Sequence, residues 1–110
     1  NINKTGATVT ADSSLYVAND LVINSGILDP DDNNIEIGGN WTNNVGDAGF
    51  IEGSGRVIFS GSQSQYCTTD ENFNILEMNK SSNTLDIYGP DVTCNSYDWS
   101  SGGIDVDSGG

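Results

Sequence analysis

Oxygen-bearing side chains alternate along two short stretches of the sequence, DPDDNN at 29–34 and DVDSGG at 105–110. Carboxylate and amide oxygens at such spacing are the ligands that Ca²⁺ takes, although the glycine and glutamate positions of an EF-hand loop are missing from DPDDNN. Two solvated turns whose acids oppose aggregation of the sheet are the favoured interpretation, so we expect no cofactor, and a calcium site at these stretches is the alternative. The candidate ligands are Asp29, Asp31, Asn33, Asp105 and Asp107.

A tryptophan lies among amide side chains in GGNWTNN, residues 38–44. Trp41 offers a flat ring for stacking on a sugar, and Asn40 and Asn43 offer hydrogen bonds to its hydroxyl groups. The stretch is therefore a candidate carbohydrate-binding site. Packing of Trp41 in the core is the alternative, and the large area that an indole buries favours it.

The charge balance bears on partners and on activity. The chain has 16 acidic residues against three basic residues and no histidine, so its net charge is −13. We expect no nucleic-acid partner, because phosphate backbones are bound through lysine and arginine. No apolar run approaches the ~20 residues of a membrane span, so we expect no membrane insertion. The sequence offers no pair of carboxyl groups facing each other across a bond, as a glycosidase needs, and we expect no enzyme.

Short apolar alternations recur along the whole chain and define its elements. Each is three or four residues long, has a period of two, and is bounded by Gly, Asn, Asp or Ser, which is the pattern of strands and turns. ENFNILEMNK at 71–80 is the one stretch with some helical character, and its asparagines favour a strand. We predict an all-β chain. The other alternations include LYV, LVI, IEI, RVIF, TLDI, VTC, YDW and IDV.

An internal repeat relates residues 2–29 to residues 78–105, 76 positions later. Ile2 aligns with Met78, and the apolar positions of both copies stay apolar while their identities change, as in stacked units that share one core. Tyr97 and Trp99 align with Leu21 and Ile23, so we predict that both aromatic side chains point into the core.

The repeat favours one fold among all-β architectures. A unit of 76 residues is too long for one solenoid coil of roughly 20–30 residues and makes about three of them. We predict a single parallel β-solenoid of about four coils over residues 1–110, with an antiparallel β-sandwich as the alternative. The chain begins and stops in the middle of a repeat. We therefore predict that it is an excerpt of a longer repeat protein. Its expected partners are neighbouring repeats, or copies of itself, bound end to end.

Five stretches in the right order resemble a known repeat: INKTGATVT, LVINSGILD, IEIGGNWTNN, GSGRVIFSGSQSQ and FNILEMNK. The repeat belongs to large secreted proteins of Bacteroidota-type bacteria that are similar to β-helical cell-surface adhesins and are often exported by the type IX pathway. The resemblance covers nearly the whole chain, with GGNWTNN as its most specific part. Residues 81–110 depart furthest from the repeat.

The resemblance implies a function and a location. It implies a structural and adhesive segment of a secreted cell-surface or extracellular filament protein. The alternative is a carbohydrate-binding β-helix module that recognises surface glycans, and a polysaccharide lyase or hydrolase is less favoured, since a fold does not imply an activity.

The two cysteines, Cys67 and Cys94, lie 27 residues apart, which is about one coil plus a loop. Residues one coil apart in a solenoid fall within the ~4.4–6.8 Å Cα separation that a disulfide needs. Secreted proteins form disulfides. We therefore predict a Cys67–Cys94 disulfide, and two unlinked buried thiols are the alternative.

Overall fold

A computed structural model of the chain describes residues 1–88 and 92–106. Within those residues are nine β-strands and one short 3-10 helix, Asp47–Gly49. The strand predicted over residues 71–80 belongs to a longer strand that continues to Ile87. The strands are β1 (Ile2–Thr10), β2 (Leu15–Val17), β3 (Leu21–Asp29), β4 (Ile35–Ile37), β5 (Trp41–Asn43), β6 (Arg56–Gly61), β7 (Gln65–Cys67), β8 (Glu71–Ile87) and β9 (Val92–Val106).

All pairings between these strands are parallel, and each strand pairs with strands one turn earlier or later in the chain. The chain therefore winds as a coil with three faces, which we call A, B and C in the order that each turn visits them. Face A comprises Ile2 and residues 21–23, 41–43, 65–67, 85–87 and 104–106. Face B comprises residues 8–10, 27–29, 50, 71–73 and 92–94. Face C comprises residues 15–17, 35–37, 57–59, 76–78 and 97–99.

Face C shows the stacking most clearly. Val17, Ile37, Phe59, Met78 and Trp99 lie directly above one another in register. The period of two of each strand turns these side chains inward and their neighbours outward. A column of inward side chains thus runs through the whole molecule.

These columns confirm the predicted parallel β-solenoid and exclude the antiparallel sandwich, because parallel pairing needs long connections that a hairpin cannot supply. The stack has about five turns, one more than the sequence suggested. Successive members of the face C column are 20, 22, 19 and 21 residues apart. The turns are therefore unequal in length.

The corner between faces A and B needs glycine at one point. Gly26 has φ +86°, and a β-carbon built on it would lie 2.3 Å from the Lys4 carbonyl oxygen of the turn before. A side chain is excluded there by both the left-handed backbone and the close approach of the neighbouring turn.

Candidate functional site

Trp41 lies at the centre of the core and not on the surface. Its side chain is 0% exposed, and its ring centroid is 4.9 Å from that of Phe50 and 5.3 Å from that of Phe73, both in edge-to-face geometry. The predicted sugar-stacking role of Trp41 is therefore wrong, and the alternative of core packing is confirmed. The reason is register: Trp41 stacks between Leu21 and Cys67 on the inward side of face A.

Asn43, the second predicted sugar ligand, is also buried. Its amide Nδ2 donates to Glu71 Oε2 over 2.8 Å and to the Gly46 carbonyl oxygen over 2.7 Å. Glu71 Oε2 also accepts a 2.9 Å hydrogen bond from Trp41 Nε1. The buried carboxylate thus accepts hydrogen bonds from two buried side chains, in keeping with the rule that buried polar groups are hydrogen-bonded.

Glu71 was not singled out from the sequence. The signal was its period-two spacing from Phe73, which places both side chains on the inward side of β8. Its partners lie 28 and 30 residues away, and nothing local in the sequence links them.

Asn40, the third predicted sugar ligand, is half-buried and holds two neighbouring turns together. Its backbone N–H donates to Asp20 Oδ1 over 2.8 Å, and its own Oδ1 accepts from the Tyr66 backbone N–H over 3.0 Å. The three predicted sugar ligands therefore serve the fold and do not form a surface site together.

The candidate calcium ligands are only partly described. In residues 1–88 and 92–106, no three His, Cys, Asp or Glu side chains lie close enough together to hold a metal ion. Asp29 Oδ1 accepts from the Asp31 backbone N–H over 2.9 Å, as in a solvated turn, and Asn33 Nδ2 donates to the Ala11 carbonyl oxygen over 3.4 Å. The side chain of Asp105 and the whole of Asp107 lie outside the described residues.

The predicted disulfide is wrong, because Cys67 and Cys94 are both free thiols. Cys67 lies on face A above Trp41, whereas Cys94 lies on face B in register with Phe73. A separation of 27 residues is longer than one turn and carries the second cysteine to a different face. Burial, with the negative charge of Glu71, raises the pKa of the Cys67 thiol to about 12. Cys94 is exposed.

Lys80 is a buried cation that the sequence did not reveal. It is 1% exposed, whereas Lys4, its counterpart in the internal repeat, is exposed. Its Nζ donates to the Gln63 carbonyl oxygen over 2.7 Å and to Gln65 Oε1. Desolvation lowers the pKa of Lys80, because burial disfavours the charged form.

Both ends of the stack expose apolar surface. At the N-terminal end, a cavity of about 280 Å³ is lined chiefly by Ile2, Val9, Leu15 and Val17. At the C-terminal end, a second cavity of about 280 Å³ is lined by Leu76, Ile87, Val92, Thr93, Cys94, Tyr97 and Ile104. Contiguous exposed apolar surface marks a site of interaction. The two ends are therefore the best candidates for a functional surface.

Tyr97 and Trp99 belong to the C-terminal end. Their register with the buried Leu76 and Met78 places them at inward positions, as predicted. They are nevertheless 44% and 60% exposed, because no described turn covers them. The sequence predicted their direction correctly and their burial wrongly.

The outward side of face C carries a ladder of charges. The Arg56 guanidinium pairs with Glu77 and, over 3.0 Å, with Asp98 of the fifth turn. These two carboxylates raise the pKa of Arg56 through hydrogen bonds and charge. The ladder links three turns on the solvent side.

No model of a protein family matches the chain, and neither the curated proteins nor the solved structures contain a match. The resemblance to adhesin repeats therefore stays a prediction. Among residues 1–88 and 92–106, no helix has the length and apolar character needed to cross a membrane.

Proposed function

We propose that the chain is a structural and adhesive segment of a secreted cell-surface or extracellular filament protein. One observation carries the proposal: the apolar columns run through all five turns and remain apolar at both open ends. A stack with this property can be lengthened without changing its cross-section, which is what a filament or stalk requires.

The outer surface supports the same proposal. With a net charge of −13, copies repel one another side by side, so lateral aggregation is opposed. Association is then directed to the apolar ends, where burial of carbon surface contributes about 25 cal/mol per Å². The adhesive part and the location outside the cell rest on the resemblance of the sequence to adhesin repeats.

The residues proposed for carbohydrate binding do not form a binding surface. Trp41 and Asn43 are buried, and Asn40 bridges two turns. A glycan array with the Trp41→Ala variant would therefore report loss of folding and not loss of a contact. We do not assign a sugar site to another residue.

Protease treatment of intact cells that produce the protein tests the location. We expect peptides of this segment to be released, with a cytosolic enzyme in the same cells as the control for lysis. Full protection of the segment until the cells are broken would contradict a surface location.

Competition tests the adhesive role. The purified chain, added in excess, should reduce attachment of these cells to the surface they colonise, and deletion of the segment should do the same. A protein of similar size and net charge is the control for non-specific repulsion. Attachment that is insensitive to both treatments would remove the adhesive role.

A further inference from the structure

The C-terminal end face consists of inward positions that no described turn covers: Val92, Cys94, Tyr97, Trp99 and Ile104. An apolar face alone does not identify what binds it. Here the internal repeat supplies that information, because the same positions occur earlier in the chain with a turn on top of them.

The two copies of the repeat have the same local structure. Where β1 pairs with β3, the register shifts on both sides of Asn3 and resumes at Thr8. Where β8 pairs with β9, it shifts on both sides of Asn79 and resumes at Thr84. Since Asn3 aligns with Asn79, the aligned residues adopt the same irregular pairing.

The corner contacts recur as well. Ser25 Oγ donates to Asn3 Oδ1 over 2.8 Å, and Ser101 Oγ donates to Asn79 Oδ1 over 3.2 Å. The next residue is Gly26 in the first copy and Gly102 in the second, with φ of +86° and +94°. The repeat thus reproduces a corner with its hydrogen bond and its glycine.

The copies do not occupy the same faces. Ile2 begins face A, whereas its counterpart Met78 lies on face C, and residues 9–10 on face B correspond to residues 85–86 on face A. Each turn has three segments, one on each face, and Met78 lies eleven segments after Ile2 along the chain. One repeat therefore advances by three and two-thirds turns and arrives one face out of phase.

The covering turn of the first copy can be read from the register. Leu15 and Val17, which align with Val92 and Cys94, pair with Ile35 and Ile37. Leu21 and Ile23, which align with Tyr97 and Trp99, pair with Trp41 and Asn43. All four covering residues are buried.

We propose that the C-terminal end face binds a further solenoid turn with the chemistry of residues 35–43, IEIGGNWTN, placed one face back from its position in this chain, on faces B and C instead of faces C and A. Isoleucines of that turn cover Val92 and Cys94, its tryptophan covers Tyr97, and its asparagine covers Trp99. The proposal rests on the proposed function, in which the chain is a segment of a longer stack, and it specifies the partner of the open end.

The change of face from one repeat to the next determines where surface side chains lie around a filament. Each corner and each outward side chain of the repeat reappears two-thirds of a turn further around the axis in the next repeat, which is one face back. A motif returns to the same face only after three repeats. A surface feature of this repeat would thus be presented on all sides of a filament and not along one edge.

The test is a chain in which Gly110 is followed by a second copy of residues 35–76, which continues the repeat in phase. Alkylation of Cys94 reports on the end face, and buried Cys67 reports on folding of the original turns. In the 110-residue chain we expect Cys94 to react and Cys67 to be protected. In the extended chain Cys94 should react at least about tenfold more slowly, because reaction then needs local opening of the added turn.

A matched extension carries Asp in place of the added Ile35, Ile37 and Trp41. It has the same length but cannot bury charge on the end face, and we expect Cys94 to react as in the unextended chain while Cys67 stays protected. Equal protection by both extensions, or by neither, would overturn the proposal.

Two other results bear on the occupant. Protection of Cys94 in the 110-residue chain that increases with concentration, together with dimers in light scattering, would identify a second copy as the occupant and overturn the proposal. If the in-phase extension protects Cys94 but neither the purified chain nor deletion of the segment changes the attachment of cells, this inference stands and the adhesive role does not.

Discussion

The middle of the solenoid and its fifth turn have the same backbone pattern but different surroundings. Met78 and Trp99 are neighbours in one inward column of face C. Met78 is 0% exposed and Trp99 is 60% exposed. Register determines which way a side chain points, but the next turn determines whether it is buried.

The two regions also differ in how their polar groups are satisfied. In the middle, Glu71 accepts hydrogen bonds from Trp41 and Asn43 inside a cluster of aromatic rings. At the end, the indole N–H of Trp99 donates to the Gly102 carbonyl oxygen of its own turn over 2.6 Å. The buried indole of the middle thus bonds to another turn, whereas the exposed indole of the end bonds within its own turn, and the end is joined to the turn before it by the β8–β9 pairing.

The largest expected effect comes from the same substitution in the two regions. Trp41→Ala should destabilise the chain by about 3–5 kcal/mol, because it leaves a cavity in the core and removes a donor from buried Glu71. Trp99→Ala, at an exposed inward position, should cost less than about 1 kcal/mol. Urea denaturation of both variants measures the difference. Equal losses would show that the fifth turn is covered in solution.

An intermediate effect follows from the buried thiol. The pKa of Cys67 is raised from 9.0 to about 12 in the folded chain, so between these values the folded chain retains a proton that the unfolded chain loses. Stability then falls as pH rises. This contribution is fully present below pH 9 and should amount to about 2 kcal/mol lost between pH 8 and 10.5, at about 1.4 kcal/mol per pKa unit.

Two variants separate Cys67 from the other groups that titrate in this range. Cys67→Ala should lack that part of the alkaline loss, whereas Cys94→Ala should keep it, because the buried Cys67 thiol and its neighbour Glu71 are unchanged in the second variant. Urea midpoints at pH 8 and 10.5 give the comparison. The same pH dependence in both variants would mean that Cys67 is not buried in solution.

The fold was predictable because it depends on a repeated property. The sequence itself shows period-two alternation, glycine and asparagine between the alternations, and a 76-residue repeat. The inward direction of Tyr97 and Trp99 also follows from their alignment with Leu21 and Ile23. These features are local or periodic, so they do not require the three-dimensional path of the chain.

The site was less predictable because it depends on the length of each turn. Turns of 19 to 26 residues make sequence separation a poor guide to stacking, which is why Cys67 and Cys94 fall on different faces. The partnership of Trp41 with Glu71 spans 30 residues and depends on the same accumulated register. An indole flanked by asparagines is typical of both a sugar site and a core, and only the register distinguishes them.

The smallest expected effect concerns the ladder that ties the fifth turn to the middle on the solvent side. Arg56 pairs with Glu77 and Asp98, and these partners lie one and two turns further along. Exposed ion pairs contribute little and are screened by salt, so Arg56→Gln should lower the urea midpoint slightly at low salt and less at high salt.

Lys4→Gln is the control, because it removes the same charge from an exposed position of the first turn. Both variants add equally to the self-repulsion of an acidic chain, so the difference between them isolates the ladder. Hydrogen exchange should place that difference in residues 92–99. An equal effect of the two variants would mean that the ladder adds nothing beyond net charge and that the fifth turn is held by its backbone pairing with β8 and its apolar contacts.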